Sequence, residues 1–252
     1  MKKLCLSLFA LLGLCSCTSD IWGWYVINPN TPSGWINIKF LVSGMGNTIL
    51  ISVTAAVISI TLGLVVALPG QSSKRVWRIV NRVYVELIRS IPLLPMLFWV
   101  FYGLPIIFKS MGLNIPIDPF WGAVITLAIS DSAFTAEIYR SGIQSIARGQ
   151  AEASQTIGLS YAQSMRYVIL PQAIRRILPP LANQFIYIVK MSAFASVIGM
   201  QELTRRANEL VVTEYRPLEL YSLLILEYLV LVLIISAGVR WLERHMGSDE
   251  RQ

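Results

Sequence analysis

A long stretch without any charged residue, between Lys39 and Lys74, constrains this chain more than any other feature. Within it, residues 49–68 supply the roughly 20 consecutive apolar residues that a helix needs to cross a bilayer. Of the 252 residues, 55% are hydrophobic and only 14% are charged, which is too little polar surface for a soluble globule of this size. The chain is therefore predicted to be an all-α membrane protein.

Four further apolar stretches bring the prediction to about five transmembrane helices. They cover residues 85–108, 119–138, 177–200 and 220–239. The first of these four contains Pro92, Pro95 and Pro105. Because prolines leave helix carbonyls without a partner, we expect that span to pack inside the bundle, where neighbouring helices or water satisfy them.

The N-terminal segment 1–17 has the features of a secretion signal. Lys2 and Lys3 precede an apolar run that is too short to span a bilayer. The Leu-Cys-Ser-Cys sequence that ends the segment resembles the box at which bacterial lipoproteins are cleaved, which makes Cys17 the candidate lipid attachment residue. An uncleaved signal anchor with inert cysteines remains the alternative. Either interpretation places residues 18–45 outside the cytoplasm.

The basic residues predict the orientation, because cytoplasmic loops carry an excess of Lys and Arg. If the first span enters from outside, the N-terminus is external, and the C-terminal tail, residues 244–252, is cytoplasmic. The cytoplasmic segments then hold Lys74, Arg75, Arg78, Arg82, Arg140, Arg148, Arg166, Arg175, Arg176, Arg240, Arg244 and Arg251. The external segments hold fewer, namely Lys39, Lys109, Arg205, Arg206 and Arg216. The net charge of +7 is thus explained by membrane topology, and no nucleic-acid partner is expected.

The segment between two spans, residues 140–176, is longer than an unstructured loop in a compact domain usually is. Residues 151–157 are predicted to form a short helix, with Glu152 in its first turn. Gly158 follows as the residue that adopts a left-handed conformation to end that helix.

A second helix is predicted to follow directly. Ser160 and Gln163 have the spacing of a capping box, and Pro171 is expected to end the helix because the residue before a proline avoids helical geometry. The loop is therefore predicted to be helix, sharp turn, helix.

The residues of this loop resemble the signature of the permease subunits of bacterial ABC importers. That signature is Glu-Ala-Ala, three residues, Gly, nine residues, then Ile-x-Leu-Pro. The chain has Glu152, Ala153 and Ser154, then Gly158, then Val-Ile-Leu-Pro at 168–171, so that Ser154 and Val168 are its departures. Further segments resemble the polar amino acid subfamily, at 84–94, 136–145, 183–185, 196–199 and 202–204.

The resemblance implies a permease transmembrane domain over residues 46–243 in the bacterial inner membrane. It also implies that residues 151–171 dock on a cytoplasmic ATPase, with Glu152, Ala153, Ser154, Gly158, Leu170 and Pro171 as the coupling residues. This chain has no GxxxxGK[ST] phosphate loop, so ATP and Mg are expected to be used by that separate subunit. No catalytic residue and no cofactor is assigned to this chain. The other implied partners are a second or related permease, an external solute-binding protein, an amino acid substrate and membrane lipid.

Three charged residues lie within the predicted spans: Asp131, Lys190 and Glu227. Charges at bilayer depth are costly unless paired or wetted, so these residues are candidates for the substrate pathway, with a structural ion pair as the alternative. The resembled family has Asn in place of Asp131 and an acid in place of Met191. We hypothesise that Asp131 compensates Lys190, and that Glu227 biases the pathway toward cationic or zwitterionic amino acids.

Two other functions remain possible from the sequence. In an ion-coupled secondary transporter the intramembrane charges would act as relays, and a non-transporting scaffold would use the loop only to hold a cytoplasmic protein. Arg89 and Glu137, near the cytoplasmic ends of their spans, are expected to reach the interface or to form ion pairs. No metal site is predicted, because His245 is the only histidine and the cysteines all lie in the first 17 residues.

Overall fold

The computed structural model describes residues 23–70 and 74–246, and Cys17 therefore lies outside the described residues. Within those ranges every regular element is helical, which confirms the predicted all-α class. In chain order the elements are a 3-10 turn Trp24–Ile27, α1 Pro32–Ser43, α2 Met45–Gly70, α3 Arg75–Ser90, α4 Leu93–Phe98, a π turn Trp99–Gly103, α5 Leu104–Ser110, α6 Pro119–Gln144, α7 Arg148–Thr156, α8 Tyr161–Ser164, a π turn Met165–Ile169, α9 Leu170–Met191, a 3-10 turn Ser192–Ile198, α10 Leu203–Glu214 and α11 Pro217–Met246.

In the part of the chain that is described, four helical stretches are long and apolar enough to cross a membrane. They are Pro32–Gly70, Leu93–Ser110, Tyr161–Ile198 and Pro217–Trp241, and each overlaps a predicted span. The remaining predicted span, 119–138, falls in α6, whose 26 residues measure about 39 Å and exceed a hydrocarbon core of about 30 Å. α6 is less apolar because it packs in the middle of the bundle against α2, α3, α4 and α9 rather than against lipid.

The second predicted span, 85–108, has a different start in the structure. α3 ends at Ser90, and Ile91 and Pro92 are extended before the apolar stretch Leu93–Ser110 begins. Ile91 leaves helical geometry because it precedes a proline. The basic residues that were assigned to a cytoplasmic loop therefore lie on a separate helix, α3.

Two π turns each lie directly before a Leu-Pro pair: Trp99–Gly103 before Pro105, and Met165–Ile169 before Pro171. In a regular α-helix a proline clashes with the carbonyl four residues earlier and cannot donate a hydrogen bond to it. In both of these helices that carbonyl lies in the π turn, whose wider backbone relieves the clash. Both helices therefore continue through their prolines. One prediction is wrong as a result, because Pro171 does not end the second loop helix. The packing of Leu93–Ser110 inside a bundle stays a prediction, since the 17% of it that is buried here counts contacts within this chain alone.

The most extensive helix pair is α2 with α6. A Cβ atom added at Gly63 would lie 2.6 Å from Thr135 Cγ2 and 3.1 Å from the Ser132 carbonyl, so the two backbones approach as closely as small residues allow. The surrounding cluster of buried side chains joins α2, α4, α6 and α9, and includes Ile51 and Ile188.

A second buried cluster occupies the opposite end of the bundle from the α6–α7 loop. It joins α1, α9, α10 and α11 through residues such as Leu41, Leu203 and Leu220. Asn37 strengthens this packing, because its amide donates to the Val26 carbonyl at 3.0 Å and to Glu214 Oε1 at 3.1 Å. Residues 24–43 are therefore folded onto α10.

Glu202 is the fully buried acid of this region and caps the N-terminus of α10. Its carboxylate accepts hydrogen bonds from the Arg205 N–H at 2.7 Å, the Thr204 N–H at 2.9 Å and the Tyr228 hydroxyl at 2.9 Å. Such a cap stabilises a helix typically by about 1 kcal/mol. This role of Glu202 is not among the sequence-based predictions.

A pH dependence follows from Glu202. Burial raises the pKa of its carboxyl above the ordinary 4.5, and the hydrogen bonds to Arg205, Thr204 and Tyr228 oppose that shift only in part. Because the folded chain holds this proton more tightly than the unfolded chain, the resulting stability is present below pH 4.5 and is lost as the pH rises through the raised pKa. As the pH rises from 4.5 through the raised pKa of Glu202, we expect the Tm of the wild type to fall relative to that of Glu202→Gln. Thermal unfolding in detergent measures both, and parallel curves would contradict the prediction.

Candidate functional site

The first helix of the predicted coupling loop is α7, Arg148–Thr156. It begins three residues earlier than the sequence predicts, so Glu152 lies in its second turn and not in its first. The expected interaction of Glu152 with the helix N-terminus is therefore wrong. Glu152 and Ala153 are both exposed on this helix.

The predicted left-handed turn at Gly158 is confirmed, with φ of +86°. The Gly158 N–H donates to the Gln155 carbonyl at 2.9 Å, and the Leu159 N–H donates to the Ser154 carbonyl at 3.1 Å. These two bonds form a Schellman motif, which satisfies carbonyls that the helix end otherwise leaves open. The chain therefore reverses sharply at the position that the spacing predicts.

The second helix begins with the predicted capping box. The Gln163 N–H donates to Ser160 Oγ at 3.4 Å, and the Ser160 N–H donates to Gln163 Oε1 at 2.9 Å. From Tyr161 the helix runs through the π turn and α9 as one continuous helical stretch, Tyr161–Ile198. The loop is thus attached directly to a membrane span, with no break between them.

Ser154, the departure from the resembled signature, fastens α7 to this long helix. Its side chain is 3% exposed, donates to the Ala151 carbonyl at 2.7 Å and is hydrogen bonded to the Ser164 hydroxyl. A second bond joins Gln172 Nε2 to Gln150 Oε1 at 3.4 Å. α7 is therefore held in a fixed position on the helix that carries it.

The surface of the loop combines polar and apolar exposure. Ile157 is 77% exposed and Tyr161 is 69% exposed, and Glu152 of the same loop is exposed as well. Leu170 and Pro171 are also exposed, further along the helix. Exposed large apolar side chains on a rigid support form a surface suited to binding another protein.

Asp131 lies in the centre of the bundle with 4% of its surface exposed. Its carboxylate accepts hydrogen bonds from the Ser59 hydroxyl, from the Gln184 amide and, at 3.1 Å, from the Thr135 hydroxyl. The group therefore joins α2, α6 and α9 through neutral partners. The predicted compensation of Lys190 by Asp131 is wrong, because Lys190 points out from the exposed side of α9.

Lys190 belongs to an exposed polar stripe on α9 that also contains Asn183 and Tyr187. The spacings of four and three residues place these side chains on one face of the helix. Asn183 and Tyr187 are not among the predicted site residues, although their helical spacing from the charged Lys190 is a signal that could have identified them. We call Asn183, Tyr187 and Lys190 the α9 stripe.

Glu227, the third charged candidate, is buried on α11 and 7% exposed. Leu224 and Leu231, one turn before and after it, belong to the second apolar cluster. Neither carboxylate oxygen of Glu227 has a hydrogen-bond partner among the residues that the structure describes. It is therefore brought together with neither Asp131 nor Lys190 by a hydrogen bond or an ion pair in this structure.

The neutral surroundings of Asp131 predict that Asp131→Asn is tolerated. The hydroxyls of Ser59 and Thr135 both donate and accept, and the Gln184 amide presents either group by rotating, so an amide at position 131 finds partners. Asp131→Leu leaves those groups unpaired at a cost of about 1–3 kcal/mol for each one that finds no other partner. We expect the Tm of Asp131→Asn in detergent to stay near that of the wild type, and that of Asp131→Leu to drop by several degrees. Equal losses would show that the charge itself is required.

Comparison with known proteins places the loop and the bundle in one family. Residues 59–248 match the family described as the inner membrane component of binding-protein-dependent transport systems. The chain belongs to this family. The permease is 37% identical over 212 residues to the glutamine transport system permease protein GlnP of Escherichia coli, which covers 84% of this chain and 95% of that protein.

Other relatives agree with this assignment. The permease is 35% identical over 213 residues to the arginine transport system permease protein ArtQ of Bacillus subtilis, covering 84% of this chain and 95% of that protein. Among solved structures it is similar to a chain of an amino acid ABC transporter crystallised with histidines, with a TM-score of 0.77 and 39% identity. That likeness covers 84% of this permease and 97% of the solved chain.

Proposed function

We propose that this permease is the membrane-spanning subunit of an ATP-driven amino acid importer, and that α7 and the Gly158 turn couple it to a separate ATPase. The single observation that carries the proposal is the exposed, fixed α7 mounted on a helix that continues into the membrane. The relatives named for glutamine and arginine transport support an amino acid as the substrate.

The proposed coupling is mechanical. α7 is fastened to the long helix by Ser154 and Ser164, and the helix runs from Tyr161 to Ile198. When a closing ATPase displaces α7, the displacement is therefore transmitted to α9 and is not absorbed by bending of the loop. A rigid connection moves the whole helix together with α7. Leu170 and Pro171 lie on this lever and complete the proposed coupling residues.

The partners of the permease are also proposals. The ATPase binds and hydrolyses ATP with Mg, a second or related permease completes the pathway, and an external solute-binding protein delivers the amino acid. In the proposed orientation the N-terminus is outside and the C-terminus is cytoplasmic, as the basic residues predict.

We propose that the α9 stripe lines the substrate pathway. Asn183 and Lys190 are exposed on a helix that crosses the membrane, and polar groups of this kind are not stable against lipid. A second permease and a water-filled passage would cover them. The ammonium of Lys190 suits the carboxylate of an amino acid, while Asp131 positions α9 through Gln184 and Glu227 places a carboxyl group deeper in the bundle.

A charge reversal at Glu152 tests the coupling proposal. We expect Glu152→Arg to weaken co-purification of the ATPase about tenfold or more, because reversing a charge at a protein interface typically costs several kcal/mol. Glu86→Arg is the matched control, since it makes the same change at another exposed glutamate on the same side of the membrane. Quantitative mass spectrometry of the purified complex measures both. An ATPase retained in full by Glu152→Arg would remove α7 from the interface.

A further inference from the structure

A cleft of about 390 Å³ lies between α3 and α6, beside the end of α2 and at the end of the bundle where α6 leads into α7. Its position distinguishes it from the α7 surface and from the α9 stripe. Besides Gly70, Asn81, Val85 and Gln144, the cleft is lined by six charged side chains, namely Arg78, Arg82, Arg89, Arg140, Glu86 and Glu137.

The charges in this cleft do not balance. Glu137 forms an ion pair with Arg140, whose Nε donates to Glu137 Oε2 at 2.8 Å. The ion pair predicted for Glu137 is therefore confirmed. The two charges of this pair cancel. The remaining lining holds three arginines and one glutamate. Arg78 and Arg82 form no ion pair with any residue in the described ranges, and the cleft therefore has an excess of positive charge.

Arginine at these positions favours a phosphate. A guanidinium presents several donors in a fixed plane that matches the oxygens of a phosphate, whereas a small inorganic cation is repelled. Arg89 is held in place by the ring of Phe134, with its guanidinium carbon 5.0 Å from the ring centroid. The cleft thus contains a positioned guanidinium beside two that have no ion-pair partner among the residues that the structure describes.

The position of the cleft relative to the membrane indicates the source of that phosphate. Gly70 and Gln144, at the ends of α2 and α6, form part of the lining, so the cleft lies where the helices leave the bilayer. The outward face of α3 is apolar and exposed, at Val76, Ile79, Val80, Val83 and Leu87. A helix with an apolar outer face and a basic inner face at this depth lies at the level of the lipid headgroups.

We propose that this cleft binds the phosphate of an anionic phospholipid headgroup from the cytoplasmic leaflet, and that the bound lipid ties α3 to α6. The proposal rests on the proposed orientation of the chain but not on its transport activity.

Native mass spectrometry of the detergent-purified full chain tests the proposal with phosphatidylglycerol as the probe. Arg78→Gln with Arg82→Gln is expected to weaken phosphatidylglycerol binding about tenfold or more, since it removes two guanidinium groups that can each form charge-assisted hydrogen bonds with the phosphate. Lys39→Gln with Lys109→Gln removes the same charge at the other end of the bundle and is expected to leave binding unchanged. Equal effects of the two pairs would overturn the site.

Two further measurements identify the source of the phosphate and the reason for any loss of phosphatidylglycerol binding. Competition by millimolar inorganic phosphate that displaces phosphatidylglycerol from the wild type would show a soluble-phosphate site and would overturn the lipid proposal. Arg78→Lys with Arg82→Lys keeps the charge but loses the planar donors, so it is expected to bind more tightly than the Gln pair and more weakly than the wild type at an unchanged Tm. Binding equal to that of the wild type would contradict recognition by the guanidinium plane, and binding as weak as that of the Gln pair would contradict a contribution from charge.

Discussion

Gly63→Leu is expected to prevent stable folding of the permease, whereas Gly46→Leu on the same helix is expected to leave it folded. Both glycines lie within α2, but a Cβ at position 63 meets Thr135 Cβ at 2.7 Å and the Ser132 carbonyl at 3.1 Å, while nothing lies within 4 Å of a Cβ at position 46. Overpacking of this kind costs more than about 3 kcal/mol when backbone has to move. Gly46→Leu gains the better helix propensity of leucine instead, about 0.8 kcal/mol.

The measurement is the yield of monodisperse protein in detergent, followed by the Tm of whatever folds. Gly63→Leu should give little folded protein, and Gly46→Leu should unfold at or above the wild-type temperature. A stable Gly63→Leu variant would contradict the close approach of α2 and α6, which positions Asp131 and the rest of the polar centre.

Gly158→Val is expected to abolish most ATP-driven uptake without unfolding the bundle. Gly158 and Gly112 both have positive φ, +86° and +81°, and both have open space where a Cβ would be. A valine at either position therefore causes a similar backbone strain, roughly 1–3 kcal/mol. Only at Gly158 does relief of that strain rotate α7 away from α8. We expect an uptake rate at least about tenfold lower for Gly158→Val, since about 1.4 kcal/mol of lost contact weakens association tenfold.

Gly112→Val is the matched control, because the loop that contains it joins α5 to α6 at the other end of the bundle. Both variants should show a similar decrease in Tm, and only Gly158→Val should lose uptake. Equal uptake by the two variants would mean that the geometry of the turn is not used in coupling.

The local features of the loop were predictable because they depend on a few neighbouring residues. Gly158 and the Ser160 capping box are each determined by local backbone chemistry, and both are confirmed. The start of α7 was wrong because a helix without a side-chain cap gives no signal at its first residue. The end assigned to Pro171 was wrong because a π turn upstream of a Leu-Pro pair removes the clash that normally stops a helix.

The interior of the bundle was harder to predict. Asp131, Lys190 and Glu227 are charged residues within predicted spans, and the sequence does not show which way each one points. Asp131 accepts hydrogen bonds from three neutral side chains on three helices. A prediction from charge complementarity alone therefore named the wrong partner. Long-range hydrogen bonds of this kind depend on tertiary packing, which a periodic pattern does not encode.

ATP-dependent uptake of a radiolabelled amino acid into proteoliposomes tests the central claim most directly. The vesicles contain the permease, the co-purified ATPase and the external binding protein. The account predicts uptake that requires ATP, persists when ion gradients are collapsed, and falls with Glu152→Arg but not with Glu86→Arg. Uptake driven by an ion gradient without ATP would indicate a secondary transporter, and no uptake from a complex that binds its ATPase would indicate a scaffold. Either of those results would contradict the account.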